Sequence, residues 1–163
     1  MAIRIDQSAK VSEFADLEQS NRGTLIEIGP GVTIDSFVKI KPAGGSGNLI
    51  IGEGSVINSG CVLYTGNGIV IGKNVLIAAN TTLAPTNHAY ADPVANIRDQ
   101  GFQKSRGGIT IEDDVWIGAG CILLDGAYVP RGCVIAAGTV IRSKLPESMA
   151  VYAGNPPRVI KKR

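Results

Sequence analysis

One histidine, His88, stands in a chain of 163 residues. Imidazole is the side chain whose ordinary pKa best suits proton transfer at neutral pH. His88 lies in Leu83-Ala84-Pro85-Thr86-Asn87-His88-Ala89-Tyr90-Ala91-Asp92-Pro93, where a regular pattern in the chain breaks off. A lone histidine is more often a plain surface residue. Its position singles this one out, because catalytic groups are commonly carried on loops held by a rigid scaffold. The three cysteines, Cys61, Cys121 and Cys133, form no CxxC pair, so a zinc or redox site is not expected. They sit at small inward positions of the pattern and read as packing thiols.

That pattern is a large aliphatic residue every six positions. It runs Ile111, Ile117, Leu123, Val129, Ile135, Ile141, and earlier Ile51, Ile57, Leu63 and Ile71, Ile77, Leu83. The first third has Ile28, Ile34, Ile40 and, more weakly, Ile5, Val11, Leu17. Four residues after most of these comes a smaller inward candidate, such as Val32, Ser55, Cys61, Thr81, Ala127 or Thr139. A period of six suits neither a helix nor a simple alternating strand. It suits a parallel β-helix of triangular coils, three hexads to a coil. Gly often follows the large residue, as in Ile51-Gly52, Ile71-Gly72 and Ile117-Gly118, and is expected there for its backbone freedom. The hexads predict an all-β chain of about six coils. One long loop is expected at about 86–108 and a short C-terminal segment at about 147–163, within a single domain spanning 1–163. Loops of that length without repeat character are usually functional or disordered.

Composition agrees. Aromatic residues are only 5% and glycines number 21, which fits a narrow interior filled by Ile, Val and Ala. A net charge of +2 argues against nucleic acid as a main partner. No apolar run reaches the roughly 18 residues of a membrane span. The segment MAIRIDQSAK has no signal-peptide core, so a cytoplasmic location is the default expectation.

Three stretches carry a family resemblance. They are Ile71-Gly72-Lys73-Asn74-Val75-Leu76-Ile77-Ala78 running on to His88, Ile111-Glu112-Asp113-Asp114-Val115-Trp116-Ile117-Gly118-Ala119-Gly120, and the tail Tyr152-Ala153-Gly154-Asn155-Pro156-Pro157-Arg158-Val159-Ile160. From about residue 24 onward the chain resembles the hexapeptide-repeat acetyltransferases, in particular the maltose and galactoside O-acetyltransferase group. The loop Asp92-Pro93 through Arg98-Asp99-Gln100-Gly101 resembles members from bacterial surface-polysaccharide pathways. Several activities share the hexads. The combination of His88, Trp116 and the Ala-Gly-Asn-Pro-Pro tail is more specific.

The resemblance implies a left-handed β-helix, a hand the usual crossover rule would not predict. It also implies a homotrimer with sites between neighbouring subunits and acetyl-CoA along the coil edge. The family's general base aligns with His88, which would take a proton from an acceptor hydroxyl and later return one to the CoA thiolate. Asn58 matches an acceptor-binding asparagine; its other reading is a turn residue after Ile57. Gly66 stands where the family carries an acidic residue that helps hold the acceptor, which argues against a simple galactoside or maltose. Trp116 matches a tryptophan near the CoA arm, and Ala119 and Ala137 match positions whose backbone meets pantetheine. Arg142-Ser143-Lys144 takes the place of a Thr-Lys pair near the nucleotide, with the charge shifted by one position. Arg158 and Lys161 could meet CoA phosphates, or form a solvated basic end.

The function these residues imply is acetyl transfer from acetyl-CoA to a hydroxyl of a sugar, sugar nucleotide or glycan precursor. The alternatives are N-acetylation of an amino-sugar nucleotide and a non-catalytic structural β-helix. An amine needs a base less, and a structural helix predicts outward Thr ladders and no long loop. A zinc carbonic anhydrase on the same scaffold would need three histidine ligands, too many for a chain with one.

Overall fold

A computed structural model describes residues 2–163. Each turn of the chain lays down three short strands. The first coil holds β1 (Ala2–Ile5), β2 (Lys10–Val11) and β3 (Asp16–Leu17), and the second β4 (Leu25–Ile28), β5 (Thr33–Ile34) and β6 (Lys39–Lys41). The third has β7 (Leu49–Ile51), β8 (Val56–Ile57) and β9 (Val62–Tyr64), and the fourth β10 (Ile69–Ile71), β11 (Leu76–Ile77) and β12 (Thr82–Ala84). After a long connection come β13 (Ile109–Ile111), β14 (Trp116–Ile117) and β15 (Ile122–Leu124), then β16 (Tyr128–Val129), β17 (Val134–Ile135) and β18 (Val140–Ile141). The chain closes with β19 (Ala150–Ala153) and β20 (Arg158–Lys162). Like strands stack in parallel into three sheets, one per side of a triangular prism, and β20 extends the second antiparallel to β19. The fold is a left-handed parallel β-helix of six coils.

The hexad ladders become vertical stacks. In the second sheet Ile34, Ile57, Ile77, Ile117, Ile135 and Tyr152 lie in register. In the third, Ile40, Leu63, Leu83, Leu123 and Ile141 do the same. All are buried, as are Val32, Val38, Cys61, Val75, Val115 and Ala127 at the smaller inward positions. The first coil is covered on one side only, so Ile5 keeps 48% of its surface. At the other end Tyr152 caps the core, its hydroxyl bridging the amide and carbonyl of Glu147 at 2.8 and 2.9 Å.

Polar members of the inner ladder also tie coils together. Ser55 Oγ donates to the Gly72 carbonyl (2.8 Å), and Cys61 and Cys121 donate to the carbonyls of Ala78 and Ala136 (both 3.2 Å). Burial pushes all three thiols above their ordinary pKa, which suits packing rather than reaction.

The glycine expectation needs correcting. Gly52, Gly72 and Gly118 do not adopt left-handed angles; that conformation falls two residues later, at Gly54, Asn74 and Gly120. Gly is required after the large residue because coils approach too closely there. A Cβ on Gly52 would lie 2.6 Å from the Gly72 carbonyl carbon, and one on Gly118 would lie 2.6 Å from the Ala137 nitrogen.

All the long connections leave from one edge, where the third sheet turns into the first. They include residues 42–48 and 85–108, while the other two edges keep four-residue turns. The scaffold therefore has one decorated corner.

Candidate functional site at the decorated corner

His88 sits on that corner. After β12, Pro85 is buried and the chain leaves the prism as a projecting hairpin. Its arms pair through Ala89 N–H to Gly101 O (3.0 Å) and Gln103 N–H to Asn87 O (2.8 Å), with His88 opposite Phe102. The tip is closed by Gln100. Its amide nitrogen donates to the carbonyls of Asp92 and Ala95 (2.9 Å each), and its oxygen accepts from Asp92 N–H (3.0 Å). The returning arm is pinned by Asp125, a buried carboxylate that accepts from Arg106 N–H (2.7 Å) and Gly108 N–H (2.9 Å). Sequence reading missed Asp125. The available signal was an acid two residues after an inward leucine, directly before Gly126.

The His88 imidazole packs on the Phe102 ring, centroids 4.8 Å apart. Together they wall a cavity of about 320 Å³ with Tyr64, Ala84, Thr86, Ala43 and Gly44. The Thr86 hydroxyl is buried there without a hydrogen-bond partner among the described residues. The cavity thus combines two aromatic faces, two hydroxyls and one imidazole. Such a surface can stack on the apolar face of a sugar ring while bonding its hydroxyls.

The other residues singled out by sequence lie elsewhere. Asn58 is at the opposite edge of the third sheet, in the turn between β8 and β9, and its side-chain amide donates to the Ile77 carbonyl (2.8 Å). It therefore serves a turn within one chain, and its side-chain oxygen has no hydrogen-bond partner among the described residues. Ala119 and Ala137 stack on that same edge, both exposed. Their carbonyl and turn amides follow the coil ladder, as in Gly138 N–H to Ala119 O (2.9 Å), while their own N–H groups meet no acceptor among the described residues. Trp116 points outward from the second sheet, 52% exposed, between Leu76 and Val134.

The basic residues do not form one patch. Arg142 ends the third sheet beside the hairpin. Lys144 lies over the Tyr128 ring on the first sheet, 4.8 Å from its centre. Arg158 and Lys161 are on β20, paired with Ala153 and Val151. One chain by itself brings His88 together with none of Asn58, Trp116, Ala119 or Ala137. The third sheet, about 15 Å of extended chain by strand geometry, stands between the two edges.

Sequence comparison decides the family. The pattern described as "Hexapeptide repeat of succinyl-transferase" matches residues 48–85, and "Bacterial transferase hexapeptide (six repeats)" matches residues 108–143. A maltose O-acetyltransferase from Clostridium difficile 630 is 30% identical, with a TM-score of 0.68, over 83% of this chain and 68% of that one. The chain belongs to the hexapeptide-repeat acetyltransferase family. A 2,3,4,5-tetrahydropyridine-2,6-dicarboxylate N-acetyltransferase of Staphylococcus aureus is 45% identical over 53 residues, 32% of this chain and 22% of that protein. The aligned stretches span only 22% to 27% of the length of such curated relatives. AntD, an N-acyltransferase from Bacillus cereus crystallised with dTDP-4-amino-4,6-dideoxyglucose and coenzyme A, superposes with a TM-score of 0.81. It covers 98% of this chain and 83% of its own at 23% identity, a likeness of fold. In this family member, the repeat stretches matched by the patterns flank the hairpin that carries His88.

Proposed function

We propose that this protein transfers an acetyl group from acetyl-CoA to a hydroxyl of a sugar or sugar-nucleotide acceptor in the cytoplasm, with His88 as general base. The observation that carries the reading is the cavity under the hairpin, where the chain's one imidazole meets aromatic and hydroxyl groups suited to a sugar. A sugar hydroxyl is a poor nucleophile until its proton has an acceptor. His88 takes that proton as the oxygen attacks the thioester carbonyl, and the imidazolium then protonates the departing thiolate. Phe102 limits the ring's movement from one side.

The reading includes a homotrimer, and two observations support it. The candidate residues divide between two edges of the prism, so the hairpin edge of one copy must face the Asn58 edge of the next to assemble them. The outer face of the third sheet also changes character along its length. Its first two rungs carry the ion pairs Asp16–Lys39 (3.1 Å) and Glu18–Lys41 (3.4 Å). The later rungs carry Val62, Tyr64, Thr82, Ala84, Ile122, Leu124 and Val140, largely apolar and none of them charged. In the assembled site Asn58 would offer its amide oxygen to the acceptor. The exposed N–H groups of Ala119 and Ala137 would meet the pantetheine chain, with Trp116 alongside. Arg142, Lys144, Arg158 and Lys161 would supply positive charge toward the nucleotide, from several faces rather than one.

N-acetylation of an amino sugar is the second reading, favoured by the N-acyltransferase chemistry of relatives such as the Staphylococcus aureus enzyme. Acetyl-CoA turnover against paired acceptors, each amino sugar beside its hydroxyl counterpart, separates the two. Turnover with hydroxyl acceptors supports the proposal. Turnover confined to the amines overturns it in favour of the second reading, and no turnover of acetyl-CoA with any acceptor overturns both.

A further inference from the structure

The hairpin has a second face. Asn87, Tyr90 and Gln103 lie on the side away from the His88 cavity and, with Arg106, Leu124 and Arg142, enclose a separate cavity of about 310 Å³. Apart from Leu124, every lining side chain can donate a hydrogen bond: two guanidinium groups, two amides and a phenol. No carboxylate lines it.

The carboxylate nearest Arg106 is Asp125, with Arg106 Nε 4.0 Å from Oδ2. Its oxygens are already taken up by the amides of Arg106 and Gly108 and by the Ser105 hydroxyl (3.4 Å). Asp125 therefore holds the Arg106 backbone by a hydrogen bond and its guanidinium only at the outer limit of ion pairing. Arg142 has no carboxylate within ion-pairing distance among the described residues. Two arginines line one recess, Arg142 without a carboxylate partner among the described residues and Arg106 only at the 4.0 Å limit of ion pairing with Asp125, and such a pair matches the fork-like recognition of phosphate oxygens.

We infer that Arg106 and Arg142, with Asn87, Gln103 and Tyr90, form a binding site for a phosphate or diphosphate group of a substrate. This deepens the acetyl-transfer reading and rests on it for the word substrate. Arg106 carries no role in the family resemblance, and Arg142 shares this recess with it rather than with Lys144, Arg158 or Lys161. The phosphate could belong to CoA or to a nucleotide-linked acceptor, and the chemistry at the arginines is the same for both.

The test is calorimetric titration of the full chain with inorganic pyrophosphate at low ionic strength, which needs no enzymatic turnover. Pyrophosphate should bind the parent protein. Arg106→Gln and Arg142→Gln should each weaken binding by about tenfold, as expected for loss of one charge-assisted bond. The double variant should abolish binding, and Arg22→Gln, in the turn before the second coil, should bind like the parent. Both arginine side chains are exposed, and the Arg106 backbone bond to Asp125 survives the substitution, so the fold should persist by melting temperature. Repeating the titration with saturating CoA identifies the source. Blocked pyrophosphate binding assigns the recess to the donor, and undiminished binding assigns it to the acceptor. A parent that does not bind pyrophosphate, or arginine variants that bind it equally well, overturns the inference. Acetyl transfer by that same parent would leave the proposed function standing.

Discussion

His88 is the only imidazole in the chain, so no other can take over its work. His88→Ala should lower turnover by about 10² to 10⁴ while leaving acetyl-CoA affinity unchanged. The side chain lies on the projecting hairpin, outside the buried core, so the coils should melt as before. Steady-state rates for both proteins check this, and near-parental O-acetylation by the variant would remove His88 from the mechanism. A different residue contributes to acid stability. Glu112 accepts hydrogen bonds from the Tyr128 hydroxyl and from the Arg131 amide (2.6 Å), which hold its carboxyl below the ordinary 4.5. A folded pKa lower than the unfolded one adds stability above pH 4.5, and that stability is lost as the pH falls through the folded value. Glu112→Gln should thus melt earlier than the parent at neutral pH, and the gap should close in acid. A gap of constant size at every pH would show that the carboxylate's charge contributes nothing.

At the scale of elements, the hairpin and the coils depend on different contacts. The hairpin arms hold each other by two backbone bonds, but its position over the prism depends on Asp125. Asp125→Ala leaves two amides without their acceptor next to the buried corner. The expected cost is about 1–3 kcal/mol in stability, together with faster proteolysis within 86–107. Limited proteolysis and thermal melting of the variant test this, and unchanged cleavage would mean that something else pins the loop. The coils depend on their stacked interior. Ile117 is fully buried between Ile77 and Ile135, so Ile117→Asp places a charge in a dry stack with no partner. It should cost on the order of 3 kcal/mol or more. Soluble expression with an unshifted melting temperature would contradict the inward placement.

At the scale of the whole molecule, assembly is the main expectation. The proposed site needs two edges from different copies, and the largely apolar later rungs of the third sheet offer a surface for them to meet. Sedimentation should give a trimer at micromolar concentration, and dilution to monomer should abolish activity. A fully active monomer would mean that His88 works without the Asn58 edge. The repeat was legible in the sequence because an inward position recurs with a fixed period, and a buried aliphatic residue must occupy it wherever the core is to stay dry. From that period came the coils, the small inward ladder and the place where the rhythm breaks before His88. Tertiary structure alone decided which edge each residue occupies. Six-residue spacing says that Asn58 and His88 both sit near turns, and only the stacking reveals that these are different corners. Likewise, Asp125 reads as an ordinary turn acid until the returning hairpin brings the Arg106 and Gly108 amides to it. Local sequence sets which way a side chain points, whereas contacts between segments far apart in the chain depend on how the coils and the excursion pack, and no short-range pattern encodes that.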